Sequence, residues 1–288
     1  MRRDYRLMTM LVVILSGVRL ASAQPAINYP TFLFNAPFQK NGDAKGVMYS
    51  TLLLNDGSAP NQNGSIFVNT PQDLTQSFTA QYSFLMADSG YGPGSGPGGI
   101  SFVIEGDARG ATALGGAGQQ LGYGDGQALN NNAIQHSLAL TYNSYGGADQ
   151  FQLFTNTTNA NFNTLSTPLA TQTGSENLYD VFYPTVTLNY QAPDLAFPDG
   201  AVTVLLNGNS IGLDNVGLPA PLTSLDAGST GYFGFTATNG ATDSPQIAVT
   251  SLVVTGVPEP ALACMLATGA SLLIRRRKRH PADHSSKC

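Results

Sequence analysis

Phe78-Thr79-Ala80-Gln81-Tyr82-Ser83-Phe84-Leu85-Met86 decides the fold class. Its apolar residues Phe78, Ala80, Tyr82, Phe84 and Met86 recur every second position, against Thr79, Gln81 and Ser83. A period of two places the two sets on opposite faces of a β-strand. The same alternation returns in Ile100, Phe102 and Ile104 against Ser101 and Val103, and in Leu138, Leu140 and Tyr142 against Ser137, Ala139 and Thr141. Val186-Leu188-Tyr190, Val202-Val204-Leu206, Tyr232 to Ala237 and Ile247 to Val254 continue the series. Clusters of Gly, Pro, Asn and Asp bound these runs, and Asn207-Gly208 has the composition of a tight turn. No stretch between them keeps a helical period over three turns. One-sided alternation predicts strands with one packed and one wet face. Many such strands predict an all-β sandwich of two antiparallel sheets.

Both ends of the chain read differently. Arg2, Arg3 and Arg6 precede a short apolar run, Leu7 to Leu15, and then Ala21-Ser22-Ala23. That is the layout of a secretory signal peptide over residues 1–23, cut by signal peptidase to leave Gln24 first. At the other end Val257-Pro258-Glu259-Pro260 precedes an apolar segment to Ile274 and the basic block Arg275-Arg276-Arg277-Lys278-Arg279. The prolines cannot extend a strand ladder, so the folded body is expected to stop at residue 256. The apolar segment is shorter than the roughly 20 residues that span a bilayer. The basic block is expected to stay on the cytoplasmic side.

The body, residues 24–256, is one domain long enough to bury a core without staples. Its only basic residues are Lys40, Lys45 and Arg109, against fifteen acidic ones, a net charge of −12. The −5 of the whole chain hides this, because the other cations sit in the terminal segments. Such a balance argues against nucleic acid and anionic lipid as partners. Cys264 and Cys288 both lie in the tail, so the body has no disulfide although export would permit one. His136 is the only histidine of the body, which leaves neither a zinc cluster nor a cysteine nucleophile. Its position two before Leu138 predicts a packed histidine on the same strand face.

The order of the strands resembles the legume-type (L-type) lectins. Ser65-Ile66-Phe67-Val68-Asn69-Thr70-Pro71-Gln72-Asp73-Leu74 and Ser77 to Phe84 are similar to their early strands. Gly98-Gly99-Ile100-Ser101-Phe102-Val103-Ile104 is similar to their Asp-Gly-Ile strand, and Gly115 to Tyr123 to their Gly-rich loop. Leu138 to Tyr145 and Gly234 to Gly240 match two later motifs. The resemblance implies a concanavalin-like jelly-roll β-sandwich and a glycan or exopolysaccharide partner. It implies sugar contacts from Gly98, Gly116, Asn143, Tyr145 and Asn239, with the glycine-flanked Tyr91 and Tyr123 as stacking candidates. It also implies calcium near Asn143 and Asp149, a weak site because Thr141 and Asn143 stand where the family has Glu and Asp. Gly98 likewise replaces the family's sugar-binding Asp. A polar loop closed by Asx turns is the alternative for Asn143 to Asp149.

The tail, residues 257–288, resembles the PEP-CTERM sorting signal, carried here by Val257, Pro258, Glu259, Pro260, Arg275, Arg276 and Arg277. That resemblance implies an exosortase partner and transient inner-membrane anchoring. It further implies a secreted or cell-surface location in a Gram-negative-type bacterium. The expected role is non-catalytic glycan binding. A structural or adhesive surface protein with no sugar binding is one alternative. A glycoside hydrolase is the other: Glu105 and Asp107, two apart on one strand, would face the same way. Against this, Gly110 replaces the last carboxylate of the concanavalin-like glucanases' Glu-x-Asp-x-x-Glu motif. The bland reading of the pair is a solvated strand end, with Arg109 neutralising one acid.

Overall fold

The computed structural model describes residues 27–32, 37–48, 50–87, 98–124, 132–144, 150–156, 168–173, 178, 183–225, 229–240 and 245–256. Both terminal segments, with the expected sorting motif from Val257 to Arg277, lie outside them, as do Tyr91, Tyr145 and Asp149.

The strands in chain order begin with β1 (Ile27–Tyr29), β2 (Phe38–Gly42), β3 (Gly46–Met48), β4 (Thr51–Asp56), β5 (Asn63–Val68) and β6 (Gln72–Asp73). Next come β7 (Phe78–Ala87), β8 (Gly99–Glu105), β9 (Ser137–Asn143), β10 (Gln150–Asn156) and β11 (Ala170–Thr173). The remainder are β12 (Thr185–Gln191), β13 (Ala201–Leu206), β14 (Asn209–Gly217), a single helical turn α1 (Leu222–Leu225), β15 (Thr230–Thr238) and β16 (Gln246–Gly256). They form two eight-stranded antiparallel sheets. The first runs β14-β13-β12-β7-β16-β4-β3, with β1 on β16. The second runs β11-β10-β9-β8-β15-β5-β2, with β6 on β15. This is the all-β sandwich that the alternation predicts.

Strand β7 shows why. Phe78, Ala80, Tyr82, Phe84 and Met86 are all buried, while Thr79, Gln81 and Ser83 are half-buried or exposed. Between the sheets Tyr82 stacks on Phe102 at 5.1 Å and meets Phe235 edge-on at 5.1 Å. Such pairs add about 0.5–1.5 kcal/mol each beyond area burial. The hairpin between β13 and β14 turns on Asn207 (φ 50°) and Gly208 (φ 80°). Left-handed values at both central residues match the twist of the strands they join.

The second sheet departs from the expectation of a wet face. Every residue of β8 is buried, and in β9 only Asn143 is not fully so. A second apolar cluster explains this: Phe67, Val103, Ala139 and Phe154 from the sheet's outer face pack against Ala113, Tyr123 and Ile134. The segments 106–124 and 132–136 therefore lie over that face. Their small residues give little hydrophobic signal, yet they fit closely against Val103 and Ala139.

Candidate functional site

The loop end of the second sheet is where β8 starts and β9 and β15 finish. Gly99 pairs with Asn143 on one side and Thr238 on the other. The carbonyl of Gly98 accepts from the Ser144 N–H (3.2 Å) and hydroxyl (3.1 Å). A short 3-10 turn, Gly118–Gln120, is fastened to β15. Thr238 Oγ1 donates to the Gly118 carbonyl (2.7 Å) and Thr236 Oγ1 to that of Leu121 (2.6 Å). Asn63 Nδ2 holds the Gly115 carbonyl at 2.9 Å. Gly99 permits the approach: a Cβ there would sit 2.4 Å from the Tyr142 carbonyl oxygen and 2.8 Å from Leu121 Cδ2. Gly98, Asn143 and the Gly-rich turn thus converge, with Ala117 and Gln119 exposed on the turn. Gln119, Ser144 and Thr238 belong to this end although sequence reasoning did not single them out. The signal available was their place beside the glycines.

Three expected contacts are corrected. Asn239 is fully buried and faces inward. Its Oδ1 accepts the Gln62 N–H at 2.6 Å, and its Nδ2 donates to the Ala59 carbonyl at 2.9 Å and to Gln62 Oε1 at 3.2 Å. It anchors the turn before β5 and cannot reach a ligand. Gly116 is buried, its N–H donating to Gly124 (2.6 Å) and its carbonyl accepting from Gly122 (2.9 Å), so its backbone is spent inside the loop. Tyr123 is 4% exposed, bonds Ser137 Oγ at 3.0 Å and packs on Phe154, so its ring offers no stacking face. Burial pushes its phenol pKa up.

Asn143 is half-buried at the end of β9. Thr141 is fully buried, with Oγ1 donating to the Gln152 carbonyl (3.3 Å). Where the resemblance implied a metal, the described residues therefore supply a committed hydroxyl and a neutral amide, and no carboxylate. No group of three His, Cys, Asp or Glu that could hold a metal occurs among the described residues. Calcium needs six to eight oxygens, usually several of them charged; the described donors alone fall short of that, and Asp149, the expected carboxylate, lies outside the described residues.

The carboxylate pair is not the solvated strand end expected. Glu105 closes β8 and is 1% exposed, while Asp107 lies past the strand at 8%. The Asp107 N–H donates to Glu105 Oε2. Arg109 binds Asp107 through Nε (2.8 Å) and a terminal nitrogen (2.7 Å), and the N–H groups of Arg109 (2.9 Å) and Gln135 (2.8 Å) add two further donors. Arg109 also donates to the carbonyls of Leu114, Asn132 and Ala133. Burial raises the pKa of Asp107, but the guanidinium and backbone donors outweigh it and hold the carboxyl below its usual range. This knot clamps the covering segments to the sheet, and burial keeps both acids from a glycosidic bond.

His136 also differs from expectation. Its φ is 49°, it precedes β9 rather than sharing a strand face with Leu138, and its carbonyl accepts the Gly106 N–H (2.8 Å).

No protein-family model matches the chain. No curated protein matches it by sequence. Solved structures do match in fold. A lectin from Bauhinia forficata in complex with GalNAc superposes with TM-score 0.61 at 16% identity, covering 81% of this chain and 98% of that one. Arcelin-5, a lectin-like defence protein from Phaseolus vulgaris, gives 0.58 at 16%, covering 83% and 100%. The Emp47p carbohydrate recognition domain gives 0.54 at 17%, covering 84% and 100%. The sandwich is thus the jelly roll of the legume-type lectins.

Proposed function

We propose that this chain is an exported, surface-sorted protein that binds polysaccharide without catalysis, in or around an extracellular matrix. The observation that carries the reading is the loop end: on a lectin-type jelly roll, the Gly118–Gln120 turn is bonded to β15 directly over Gly99, beside Asn143. Such a rim can present backbone groups, Asn143 and Gln119 to sugar hydroxyls. The structural neighbours include one lectin seen with GalNAc and another with methyl-α-D-galactose, which favours a glycan as ligand. Burial of Glu105 and Asp107 favours binding over hydrolysis. The signal peptide and the PEP-CTERM-like tail belong to the same reading, with signal peptidase and exosortase as processing partners.

The test is a polysaccharide and oligosaccharide array probed with the full chain, with calcium and with chelator. Saturable binding that survives chelator is the expected result, since the described donors do not make a calcium site. Gly99→Ala should displace the turn and weaken that binding at least tenfold in a folded sample. Silence across the array would sink the reading. It would favour the second one, a structural or adhesive surface protein on a lectin fold, to which the absence of a carboxylate at Gly98 and Thr141 already points.

A further inference from the structure

The first sheet carries a depression of about 380 Å³ on the strands β7, β12, β13 and β14. Six of its nine lining residues are polar and none is charged. Thr79, Asn189 and Thr203 form one row across the strands, since Asn189 pairs with Thr79 on one side and Thr203 on the other. Thr79 Oγ1 donates to Asn189 Oδ1 at 2.8 Å. The row is completed by Asn215, which reaches it through a β-bulge: the register between β13 and β14 slips between Val202 and Val204. Asn215 sits at φ 51°, a left-handed conformation uncommon outside glycine, and its N–H donates to Thr203 Oγ1 at 2.9 Å. Bulges are a recurrent device for re-aiming a side chain beside a binding site.

The hydrogen-bonding capacity is only partly used. Asn189 Nδ2, Asn215 Nδ2 and Gln191 Oε1 have no partner among the described residues. Gln191 is nonetheless held in place, because its Nε2 donates to Asp194 Oδ2 at 2.6 Å. Two amide donors and one amide acceptor thus stand on a fixed frame of hydroxyls. An apolar ligand would leave these groups unpaired at a cost of about 1–3 kcal/mol each. An anion would meet no cation here and a body of charge −12. A ligand whose every edge both donates and accepts, without charge, satisfies them.

We propose that this depression is a second binding site, for a neutral saccharide, on the sheet that does not form the loop end. Its volume falls at the lower end of small-molecule sites, roughly 300–1,000 Å³, which suits one or two sugar rings. Together with a loop-end site it would let one rigid chain hold two stretches of polysaccharide. A second attachment raises avidity without new contacts at the first.

The experiment is hydrogen–deuterium exchange of the full chain against neutral gluco-, galacto- and manno-oligosaccharides. The expected result is slowed exchange in peptides covering 185–191 and 201–217. Asn189→Ala combined with Asn215→Gly should abolish it and lower affinity there at least tenfold. Glycine retains the positive φ at 215, and an unchanged melting temperature would show the fold intact. The loop-end peptides, 98–124 and 137–144, report separately. Saturable protection confined to them overturns the second site and leaves the proposed function standing. Protection at β12–β14 that persists in the double variant, or that comes only with an extended peptide added along β14, also overturns it. No protection anywhere overturns both.

Discussion

Among the described residues, Arg109 ties more of this protein together than any other charged side chain. It reaches Asp107, Leu114, Asn132 and Ala133, so one side chain joins the end of β8 to both segments that cover the second sheet. Its partner Asp107 is almost fully buried. Arg109→Met would leave that carboxylate without its counter-charge, at a cost of about 3 kcal/mol, or roughly 6–12 °C in melting temperature for a domain of this size. Arg109→Lys should recover only part of it, because an ammonium cannot make the bidentate contact. The pH dependence follows from the same pair. Asp107 has its pKa below the ordinary value when folded, so the unfolded chain takes up its proton first as pH falls. Stability from this group is complete above about pH 5 and lost as pH drops through the unfolded and then the folded value. A melting series from pH 6 to 2 should show the decline, and Asp107→Asn should shrink it. The sequence displayed Glu105, Asp107 and Arg109 together but not their burial. That burial depends on residues 132–135, some 25 positions later and without a strong pattern of their own.

Elements were legible in proportion to how one-sided their environment is. Strand β7 has one packed and one outer face, and its alternation reads directly. Strand β8 is buried on both, so Ser101 and Val103 looked like a solvent face only because the cover is Gly- and Ala-rich. The edge strand β14 escaped notice because it is mostly exposed and bulged, which breaks the period. The turn before it was legible, since Asn-Gly is what two left-handed residues require. That assignment gives a matched pair of substitutions. Gly208 has φ 80° and Gly217 does not have a positive φ, while a Cβ at either meets nothing within 4 Å. Gly208→Ala should therefore cost about 1 kcal/mol from backbone strain alone. Gly217→Ala should be near neutral. Equal effects in thermal unfolding would show that the turn does not constrain the hairpin.

At the scale of the whole molecule the distribution of charge is more informative than its sum. The body has three cations, and none is among the described residues that form the surfaces proposed to bind. Arg109 lies in the buried knot, Lys45 is 3.6 Å from Asp56, and Lys40 Nζ donates to the Lys45 carbonyl. Neither the loop end nor the depression presents a cation among its described residues. Composition alone announced the acidity; only the fold shows that no local basic patch escapes it. Recognition must then rest on hydrogen bonds and contact between neutral groups, which salt hardly screens. Affinity for a neutral polysaccharide should change by less than about twofold between 0.05 and 0.5 M NaCl. DNA and sulfated polysaccharides should not be retained at any salt in that range. Binding that fell steeply and log-linearly with salt would instead report released counterions. That outcome would require a basic surface contributed from outside the described body, and the cationic tail at Arg275 to Arg279 would be the place to seek it.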